Sequence, residues 1–428
     1  MHLLKPLFEG VYKPTFFNLL INKNDALDGN NKINEIYGHI FFHEYIHYLQ
    51  DVLTSFGLRN IARLAREFSI INHEIIDSLS PNFTIPFKSQ NTSLLNEGEL
   101  FRIFWGTDEL EDLERDFVIS GIELQPNIIN PTLAGFPFVN VNIIYRDNLD
   151  HESFYLGVIH FLEGMAHILE RNFELGIDAD PFPYKVIERL TRAIFPSGEF
   201  TDRNFILIIE AALETHNPAR YYFDYHVYCQ HGNLPFNEDS ITLFKKTYRT
   251  EWDKKTYRYS NFYYPNAVLA RHSFDVMFNH EQMASLNKWG RLLLANTVKI
   301  RRSGFSFAEL LVTNGDKQRV EKLINRIVNK LGTPVMTDGK FGVFMLSPER
   351  QIPEEEMTIL LGLEAVSNIL HGDTTCSILP FCKYGQHGTD ITDANCNTTP
   401  WKRAKVSPQC LLARLWIMWG FVKKGVIT

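Results

Sequence analysis

The chain has 428 residues, a formal net charge of −7 at pH 7 and a pI near 6.1. Its length exceeds one ordinary hydrophobic core, so we expect two or three packed units. Hydrophobic residues make up 45% and charged residues 22%, which is typical of a soluble globular protein, and the acidic balance gives no electrostatic reason to expect a nucleic-acid partner.

The first part of the chain predicts a strand and a long helix, with no export signal. The stretch MHLLKPLFEGVYKP interrupts its apolar residues with Lys5, Pro6 and Glu9, unlike a secretory signal, so we expect a cytoplasmic protein. The segment Thr15 to Asn22, TFFNLLIN, is apolar and aromatic and predicts a strand. From Asn34 to about Leu53, apolar residues recur at helical spacing and predict a helix.

The middle of the chain predicts helices on both sides of a β region. Residues 57 to 120 are predicted to be mainly helical and to end in an acidic surface helix, DELEDLERD. Residues 122 to 145 are predicted to be β structure, because PFVNVNIIY alternates as a strand does. A second long helix is predicted from near Asp150 through FYLGVIHFLEGMAHILERNFE, with Asp150 or Ser153 as its N-cap.

The remaining elements are again mostly helical. Residues 180 to 235 are predicted to be helical, with a tyrosine-rich turn around Tyr221 to Tyr228. Loops with Pro and Gly near residues 232 to 240 and 332 to 353 are candidate linkers around a mostly helical region. The second loop includes a short strand, GVFML, and a helix is predicted from about Pro353 to Leu370.

The string IFFHEYIHYLQD, residues 40 to 51, predicts a metal site. Positions i and i+4 of a helix lie on one face, so the imidazoles of His43 and His47 can converge on one ion. Glu44 lies beside that face, where its carboxylate can reach a metal-bound water without binding the metal. With 15 His in the chain, the probability of a chance H-E-x-x-H is roughly 0.03. The alternative is that His43 and His47 only fill the core, but each buried imidazole would then need its own hydrogen-bond partner. His39 lies one turn earlier, and we interpret it as a packing or supporting residue.

This string resembles the active-site helix of the zincin metallopeptidases over about a dozen residues. The resemblance implies that His43 and His47 bind zinc and that Glu44 is the general base. The metzincin continuation, with a Gly and a third His shortly after His47, does not occur here. The chain reads YLQDVLTSFG, and the next histidine is His73.

A catalytic zinc usually has three protein ligands, so a third residue is required. Glu163 in LEGMAHILE is the favoured residue, because this stretch is similar to the E-G-x-A segment of gluzincin-type peptidases, in which the Glu is a ligand. Gly164 and Ala166 would let the two helices approach each other. His167 stands where some gluzincins have an acidic residue, and it would donate a supporting hydrogen bond. The alternatives for the third ligand are His167, His160 and Glu364.

The expected mechanism is metal-assisted hydrolysis. Zinc would lower the pKa of its bound water toward about 7, and Glu44 would take the proton as the hydroxide attacks a carbonyl and then pass it to the leaving amine. Such sites normally add a second oxyanion donor from Tyr or His. The candidates for this donor, among which the pattern does not choose, are Tyr221, Tyr222, His226 and His231.

Four of the five cysteines, Cys376, Cys382, Cys396 and Cys410, fall within 35 residues. An odd number of cysteines without an export signal argues against a disulfide framework. Their wide spacing differs from the close C-x2-C pairs of zinc sites, so buried thiols are favoured over a second, structural zinc.

These elements predict an α+β fold, mainly α, with a small sheet. A zincin-like catalytic region would cover residues 1 to 235, with a helical insertion at about 57 to 120 that separates the metal-binding helices. A helical region would cover 236 to 340, and the cysteine-bearing C-terminal region 341 to 428. The late apolar run from Cys410 to Val422 is shorter than the about 20 residues of a membrane span, so it predicts a buried helix.

The function expected from this pattern is a zinc metallopeptidase that hydrolyses peptide bonds of an intracellular protein. A zinc hydrolase acting on a non-peptide amide would share the metal ligands and differ in its pocket. A non-catalytic zinc-containing binding or scaffold module is the alternative from another class. Glu44 favours an enzyme, because a structural zinc has no need of a base.

Overall fold

The computed structural model of the chain shows a mainly helical α+β fold with small sheets, as the sequence predicts. The residues that it describes are 10–21, 38–108, 110, 115–127, 133, 135–173, 179–252, 255–258, 262–313, 315–337, 358–384 and 390–428. None of the helices in these ranges combines the length and the apolar character needed to cross a bilayer.

The helices of the described ranges are numbered in chain order: α1 (Gly38–Leu53), α2 (Ser55–Asp77), α3 (Thr92–Trp105), α4 (Val158–Phe173), α5 (Val186–Ile194), α6 (Asp202–Leu213), α7 (Pro218–Gly232), α8 (Glu238–Thr247), α9 (Tyr263–Met277), α10 (Ala284–Arg302), α11 (Lys317–Leu331), α12 (Ile359–Leu370), α13 (Leu379–Tyr384) and α14 (Leu411–Met418). The strands are β1 (Gly10–Lys13), β2 (Asn18–Ile21), β3 (Asn82–Thr84), β4 (Phe117–Gln125), β5 (Phe138–Tyr145), β6 (His151–Leu156), β7 (Arg249–Trp252), β8 (Lys255–Arg258), β9 (Val335–Thr337) and β10 (Gly425–Ile427).

The strands form four small sheets. β1 and β2 make an antiparallel hairpin, and β9 joins β2 in parallel, with Asn18 opposite Val335. β4, β5 and β6 form an antiparallel meander, in which Val139 lies opposite Leu156. β3 pairs in parallel with β10, and β7 with β8 as a hairpin. The hairpin β1–β2 positions the candidate site, because both strands pack on α1.

Helix α1 is an interior helix, because most of its residues are buried against β1, β2, α2, α4 and α10. Its two tyrosines hold the chain before β9: Tyr45 and Tyr48 donate to the carbonyls of Gly332 and Leu331, each at 3.0 Å. A side chain at Gly57 would collide with the backbone of Asp51, so the turn into α2 depends on that glycine.

The predicted start of the second long helix is wrong. His151–Leu156 form β6, and α4 begins only at Val158. Phe154 and Leu156 are buried while Tyr155 is exposed, so this segment has the two-residue period of a strand paired with β5. Gly157 separates strand from helix, and it must be glycine because the backbone of Trp105 leaves no room for a Cβ atom.

The predicted tyrosine-rich turn is also wrong. Tyr221 to Tyr228 lie within α7, which begins after the N-cap Asn217 and ends at Asn233 in the left-handed region. Tyr221 and Tyr225 lie one turn apart and are both fully buried, so these two tyrosines belong to the buried face of one helix.

Several other predictions are confirmed where the structure describes them. Strand β2 lies inside the predicted segment from Thr15 to Asn22, and α1 ends at the predicted Leu53. Strand β5, α12 and the buried terminal helix α14 also occur as predicted. Most of the acidic segment at 108–116, the strand GVFML and the predicted starts of two helices, near residues 34 and 353, lie outside the described residues. The division of the chain at residues 235 and 340 stays a prediction.

Candidate metal centre

Helices α1 and α4 bring three ligand atoms together. The Nε2 atoms of His43 and His47 lie 3.2 Å apart, and each lies 3.3 Å from Oε2 of Glu163. The three side chains are 11, 10 and 10% exposed. Among the described residues, only these three bring potential metal-ligating atoms of a His, Cys, Asp or Glu triad within 4.8 Å of one another.

The size of this triangle fits a zinc ion. Tetrahedral zinc with bonds of about 2.0 to 2.1 Å separates its ligand atoms by about 3.3 to 3.4 Å. The observed separations of 3.2 to 3.3 Å match that value. Two imidazoles and one carboxylate are a donor set that zinc accepts, and three protein ligands leave a fourth position.

The hydrogen bonds of both rings direct their lone pairs into the triangle. Nδ1 of His43 lies 2.9 Å from Oε2 of Glu170, and Nδ1 of His47 lies 2.8 Å from Oε1 of Gln50. Both oxygens are acceptors, so each ring holds a proton on Nδ1, and Nε2 carries the lone pair whenever the ring is neutral. Neutral rings thus direct two lone pairs and a carboxylate oxygen at one another, an arrangement that a metal ion or added protons stabilise.

The two supporting residues were not predicted from the sequence. The Nε2 amide of Gln50 donates to the carbonyl of Leu162 at 3.0 Å, which fixes the amide orientation and ties α1 to the residue before Glu163. Glu170 lies two helical turns after Glu163 and accepts a hydrogen bond from His43; a supporting hydrogen bond had been expected from His167, one turn earlier. Helical periodicity is the signal that identifies both, since Gln50 is i+3 from His47 and Glu170 is i+7 from Glu163.

The charges of the triangle support one another. Burial by itself lowers the pKa of His43, but its hydrogen bonds to Glu163 and Glu170 outweigh burial and raise the pKa well above that of a free imidazole. Burial also opposes the charge of His47, yet the neighbouring Glu163 carboxylate raises its pKa. Glu163 shows the opposite shift: burial would raise its pKa, but the two histidines hold it well below the usual value. The carboxylate of Glu163 therefore stays ionised beside the two rings, where its charge favours protonated histidines or a bound metal ion.

Glu44 lies beside the triangle and not within it. Its Oε2 accepts a hydrogen bond from the backbone N–H of Tyr12 at 2.6 Å. Burial raises the pKa of Glu44, and the charges of His43 and His47 offset only part of that rise. A carboxyl group with a raised pKa beside three potential metal ligands has the properties expected of a general base.

Strand β1 lies directly over this face of α1. Asp51, two turns after Glu44, accepts from the hydroxyl of Tyr12 at 2.9 Å and from the backbone N–H of Thr15 at 2.7 Å. Burial raises the pKa of Asp51 to about 7. A Cβ atom at Gly10 would lie 2.5 Å from Cγ2 of Ile40 and 2.9 Å from Cγ of Glu44, so only glycine permits this approach.

Tyr184 is a further residue that was not predicted for the site. Its ring centroid lies 6.0 Å from that of His43. Burial raises its pKa, and the charges of Glu163 and Glu44 raise it further, so the phenol stays protonated and can donate a hydrogen bond. Tyr184 lies in the turn at 181–185 that directly precedes α5, and loops next to rigid elements commonly position functional groups.

The other residues considered for the site lie elsewhere. Tyr221 and Tyr222 are fully buried in α7, where Tyr222 bonds Thr191 at 2.7 Å. Nδ1 of His160 accepts from the backbone N–H of Gly157 at 3.1 Å. His226 and His231 also belong to α7, and His39 is half-buried on α1.

Glu364 and the residues after Glu163 also differ from expectation. Glu364 on α12 pairs with Lys13 and accepts from Asn18 at 2.8 Å, so it anchors the β1–β2 hairpin. His167 is buried, burial lowers its pKa to about 4, and His43 is supported by Glu170 instead. A Cβ atom at Gly164 would lie 3.5 Å from the carbonyl oxygen of Tyr184 and at ordinary contact distance from side chains of α5 and α6, so the approach of α1 does not require a glycine there.

A narrow crevice lies beside His47. Its volume is about 20 Å³, which is room for one water molecule. Its lining residues include His47, Gln50, Pro14, Leu162 and Trp105. The crevice therefore adjoins one ligand of the triangle, between the residue that follows β1 and helices α3 and α4.

Comparisons of the chain with protein-family models, with curated proteins and with solved structures found no match. The geometry and chemistry of the chain's own residues are therefore the basis on which a function is proposed.

Proposed function

We propose that this protein is a zinc-dependent metallopeptidase, in which His43, His47 and Glu163 hold the metal and Glu44 is the general base. One observation carries the proposal: two imidazole lone pairs and a carboxylate oxygen converge at 3.2 to 3.3 Å, with a second, unshared carboxylate beside them. A structural zinc site needs no such base, so Glu44 favours hydrolysis over a scaffold role. The zincin-like arrangement of the catalytic region is part of the same proposal.

A bound zinc ion supplies a Lewis acid that polarises a carbonyl group and lowers the pKa of a water molecule toward about 7. Glu44 moves the proton. Because the N–H of Tyr12 already binds Oε2, Oε1 is the oxygen that takes the proton from the attacking water and returns it to the leaving amine. The raised pKa of Glu44 makes its carboxylate a stronger base than that of a free glutamate, which favours taking the proton from water.

The residues around the site orient the metal ligands and stabilise the negative charge that develops during the reaction. Glu170 and Gln50 hold the rings of His43 and His47 in the tautomer that binds a metal. The phenol of Tyr184, kept protonated by its buried and anionic surroundings, is the donor that we assign to the developing oxyanion. Tyr184 takes this role in place of the four candidates in α7, Tyr221, Tyr222, His226 and His231.

The closed surroundings of the site support a restricted substrate. The crevice beside His47 has room for one water molecule but not for a peptide, so we propose that a bound substrate widens it between Pro14 and Trp105. A protein segment that makes contacts beyond the scissile bond supplies the binding energy for such a change. We therefore assign a protein substrate in preference to a small amide.

The test compares the proteins cleaved in a cell extract by the wild type and by Glu44→Gln, each with and without a zinc chelator. Glu44→Gln should retain zinc and lose activity by about 10² to 10⁴-fold, because the base is removed while the ligands stay. Glu321→Gln is the matched control, since Glu321 is exposed on α11. Full activity of Glu44→Gln would refute the proposed base. Zinc binding with hydrolysis only of small amides, or with no hydrolysis, would favour the non-peptide hydrolase or the scaffold.

A further inference from the structure

A second cavity lies apart from the metal triangle, between helices α2, α3 and α9, and we call it the α2 groove. Its volume is about 390 Å³, within the range of ligand pockets. Its wall on α2 runs from Phe56 to Ser69, which is about 20 Å of helix. Two small residues of this wall, Ala62 and Ala65, are buried and leave the space that larger side chains would fill. The groove is therefore long enough for a linear ligand.

Apolar side chains line the outer edge of the α2 groove and continue beyond it. Leu269 and Val276 of α9 belong to its walls and are 48 and 43% exposed. Val268 and Tyr264 of the same helix are also exposed, although they lie outside the walls. A small molecule would be enclosed by the walls alone, whereas a protein segment that lies along the groove also covers the apolar surface beside it. The exposed side of α9 therefore favours a protein ligand.

The charges of the walls favour uncharged groups inside the groove. Arg63 pairs with Glu67 at 2.9 Å, and Arg66 pairs with Glu97. Burial lowers the pKa of Arg59 to about 10, and the charge of Glu97 opposes that fall. Each of the three arginines therefore already interacts with a carboxylate, and a charged ligand would have to disrupt these interactions. Apolar side chains would fill the groove without doing so.

One end of the α2 groove adjoins the metal centre. Phe56 and Asn60 line both the groove and the crevice beside His47. Oδ1 of Asn60 accepts a hydrogen bond from Nε of Arg63 at 3.2 Å, so the NH2 group of this amide is the part that can donate to a peptide carbonyl. A chain that lies in the groove with its end at Asn60 therefore comes next to a ligand of the triangle.

We propose that the α2 groove binds an extended segment of the protein substrate through its apolar side chains, so that the peptide bond beyond Asn60 comes to the metal triangle. About 20 Å of groove accommodates about six extended residues. This inference rests on the proposed function, and it specifies the substrate as a protein with several large apolar residues on one side of the scissile bond. Their burial in the groove supplies binding energy for the widening of the crevice.

The first test measures binding by zinc-loaded Glu44→Gln, so that the peptide is not consumed. A fluorescent peptide with leucines at its central positions should bind at least about tenfold more tightly than the same peptide with serines there, because the groove removes the leucines from water. Fluorescence anisotropy gives both affinities. Equal binding of the two peptides would overturn the proposal.

Variants of the Glu44→Gln protein locate the peptide. Leu269→Ser should weaken binding of the leucine peptide at least about fivefold, whereas Leu243→Ser, which removes a 45% exposed leucine of α8, should leave it unchanged. Ala65→Phe should abolish binding by filling the groove; if this variant does not fold, Leu269→Ser decides. Unchanged binding in Leu269→Ser and in a folded Ala65→Phe would place the peptide elsewhere and overturn the proposal.

A neutral dye, N-phenyl-1-naphthylamine, tests the alternative of a small apolar ligand. The leucine peptide should displace any dye whose binding depends on Leu269. Dye that is lost in Leu269→Ser but is not displaced by the peptide would assign the groove to small molecules and overturn the proposal.

Cleavage separates the role of the groove from the proposed function. Mass spectrometry of cell-extract peptides treated with the wild type should show Leu, Ile and Phe enriched over about six positions on one side of the cleaved bonds, and Leu269→Ser should lose this enrichment. Cleavage without the enrichment would overturn the role of the groove and leave the metallopeptidase standing. Leucine-dependent binding without any cleavage would refute the metallopeptidase and leave the groove as a peptide-binding site.

Discussion

Two regions of this protein carry residues that bind zinc in other proteins, and they differ in how those residues are held. In the α1–α4 centre, His43, His47 and Glu163 form a triangle of 3.2 to 3.3 Å, and the two rings are oriented by hydrogen bonds to residues outside it. In the C-terminal region, four buried thiols lie close in sequence, yet among the described residues no three of their sulfur atoms come within 4.8 Å of one another.

The cysteine region is organised by other contacts. The amide of Cys376 donates to the carbonyl of Cys396 at 2.9 Å. Cys382 hydrogen-bonds to Cys410 and lowers the pKa of that thiol, which lies at the start of α14. The buried Arg403 holds three segments of this region together, through Asp393 at 2.6 Å and the carbonyls of residues 391 and 408. The difference teaches that burial and proximity in sequence do not by themselves bring ligand atoms together; the packing of α1 against α4 does.

The largest expected effect separates the two regions directly. His43→Ala should lower zinc affinity by more than about 100-fold, because loss of supporting residues alone costs 10 to 100-fold and this change removes a ligand. Cys382→Ala is the matched variant in the other region and should retain one zinc per chain. Metal analysis of the purified proteins checks both. Loss of zinc from Cys382→Ala together with its retention in His43→Ala would assign the metal to the cysteines.

The next effect concerns ring orientation. Glu170→Gln should weaken zinc binding by about tenfold and Glu170→Ala by up to about 100-fold, because the partner of Nδ1 of His43 loses its charge or is removed. Gln50→Ala should act similarly through His47. Competition with a chromogenic chelator measures the affinities. Wild-type affinity in all three variants would contradict the role that we assign to these partners.

A fall in pH should stabilise the metal-free protein but weaken its affinity for zinc. The pKa of His43 is raised in the metal-free fold, so its contribution to stability is fully present below about 6.5 and is lost as the pH rises through the raised value. Protons compete with zinc, so zinc affinity should fall about tenfold per pH unit for each proton displaced. The zinc-induced increase in Tm should therefore grow between pH 6 and 8.5. An increase that shrinks over this interval would contradict the assignment.

The smallest expected effect concerns the strand over α1. Gly10→Ala should destabilise the fold by about 1 to 3 kcal/mol, because the new methyl group collides with Ile40 and Glu44. Gly38→Ala is the control, since no other atom lies within 4 Å of the Cβ atom it would add. Chemical denaturation gives the free energies of unfolding. Equal stability of the two variants would show that β1 does not press on α1.

The sequence alone determined the parts of this protein that depend on local periodicity. The spacing of His43 and His47 places both rings on one face of any helix, and the alternation in PFVNVNIIY specifies a strand in any sheet. Glu163 was predicted from a resemblance to a known segment, and the structure places its carboxylate at the two rings. Where local signals conflicted, as around Asp150 and Tyr221, the predictions were wrong because pairing with β5 and burial of α7 decided the outcome.

Only the tertiary structure decided which partners complete the site. Glu170 meets Nδ1 of His43 only where α1 and α4 pack against each other, and the same packing lets the amide of Gln50 donate to the carbonyl of Leu162. The ring of Tyr184 likewise approaches His43 from the turn before α5. Side chains that are distant in sequence interact through packing of separate elements; a periodic pattern shows which residues share a face of one element, but not which residues of another element that face contacts.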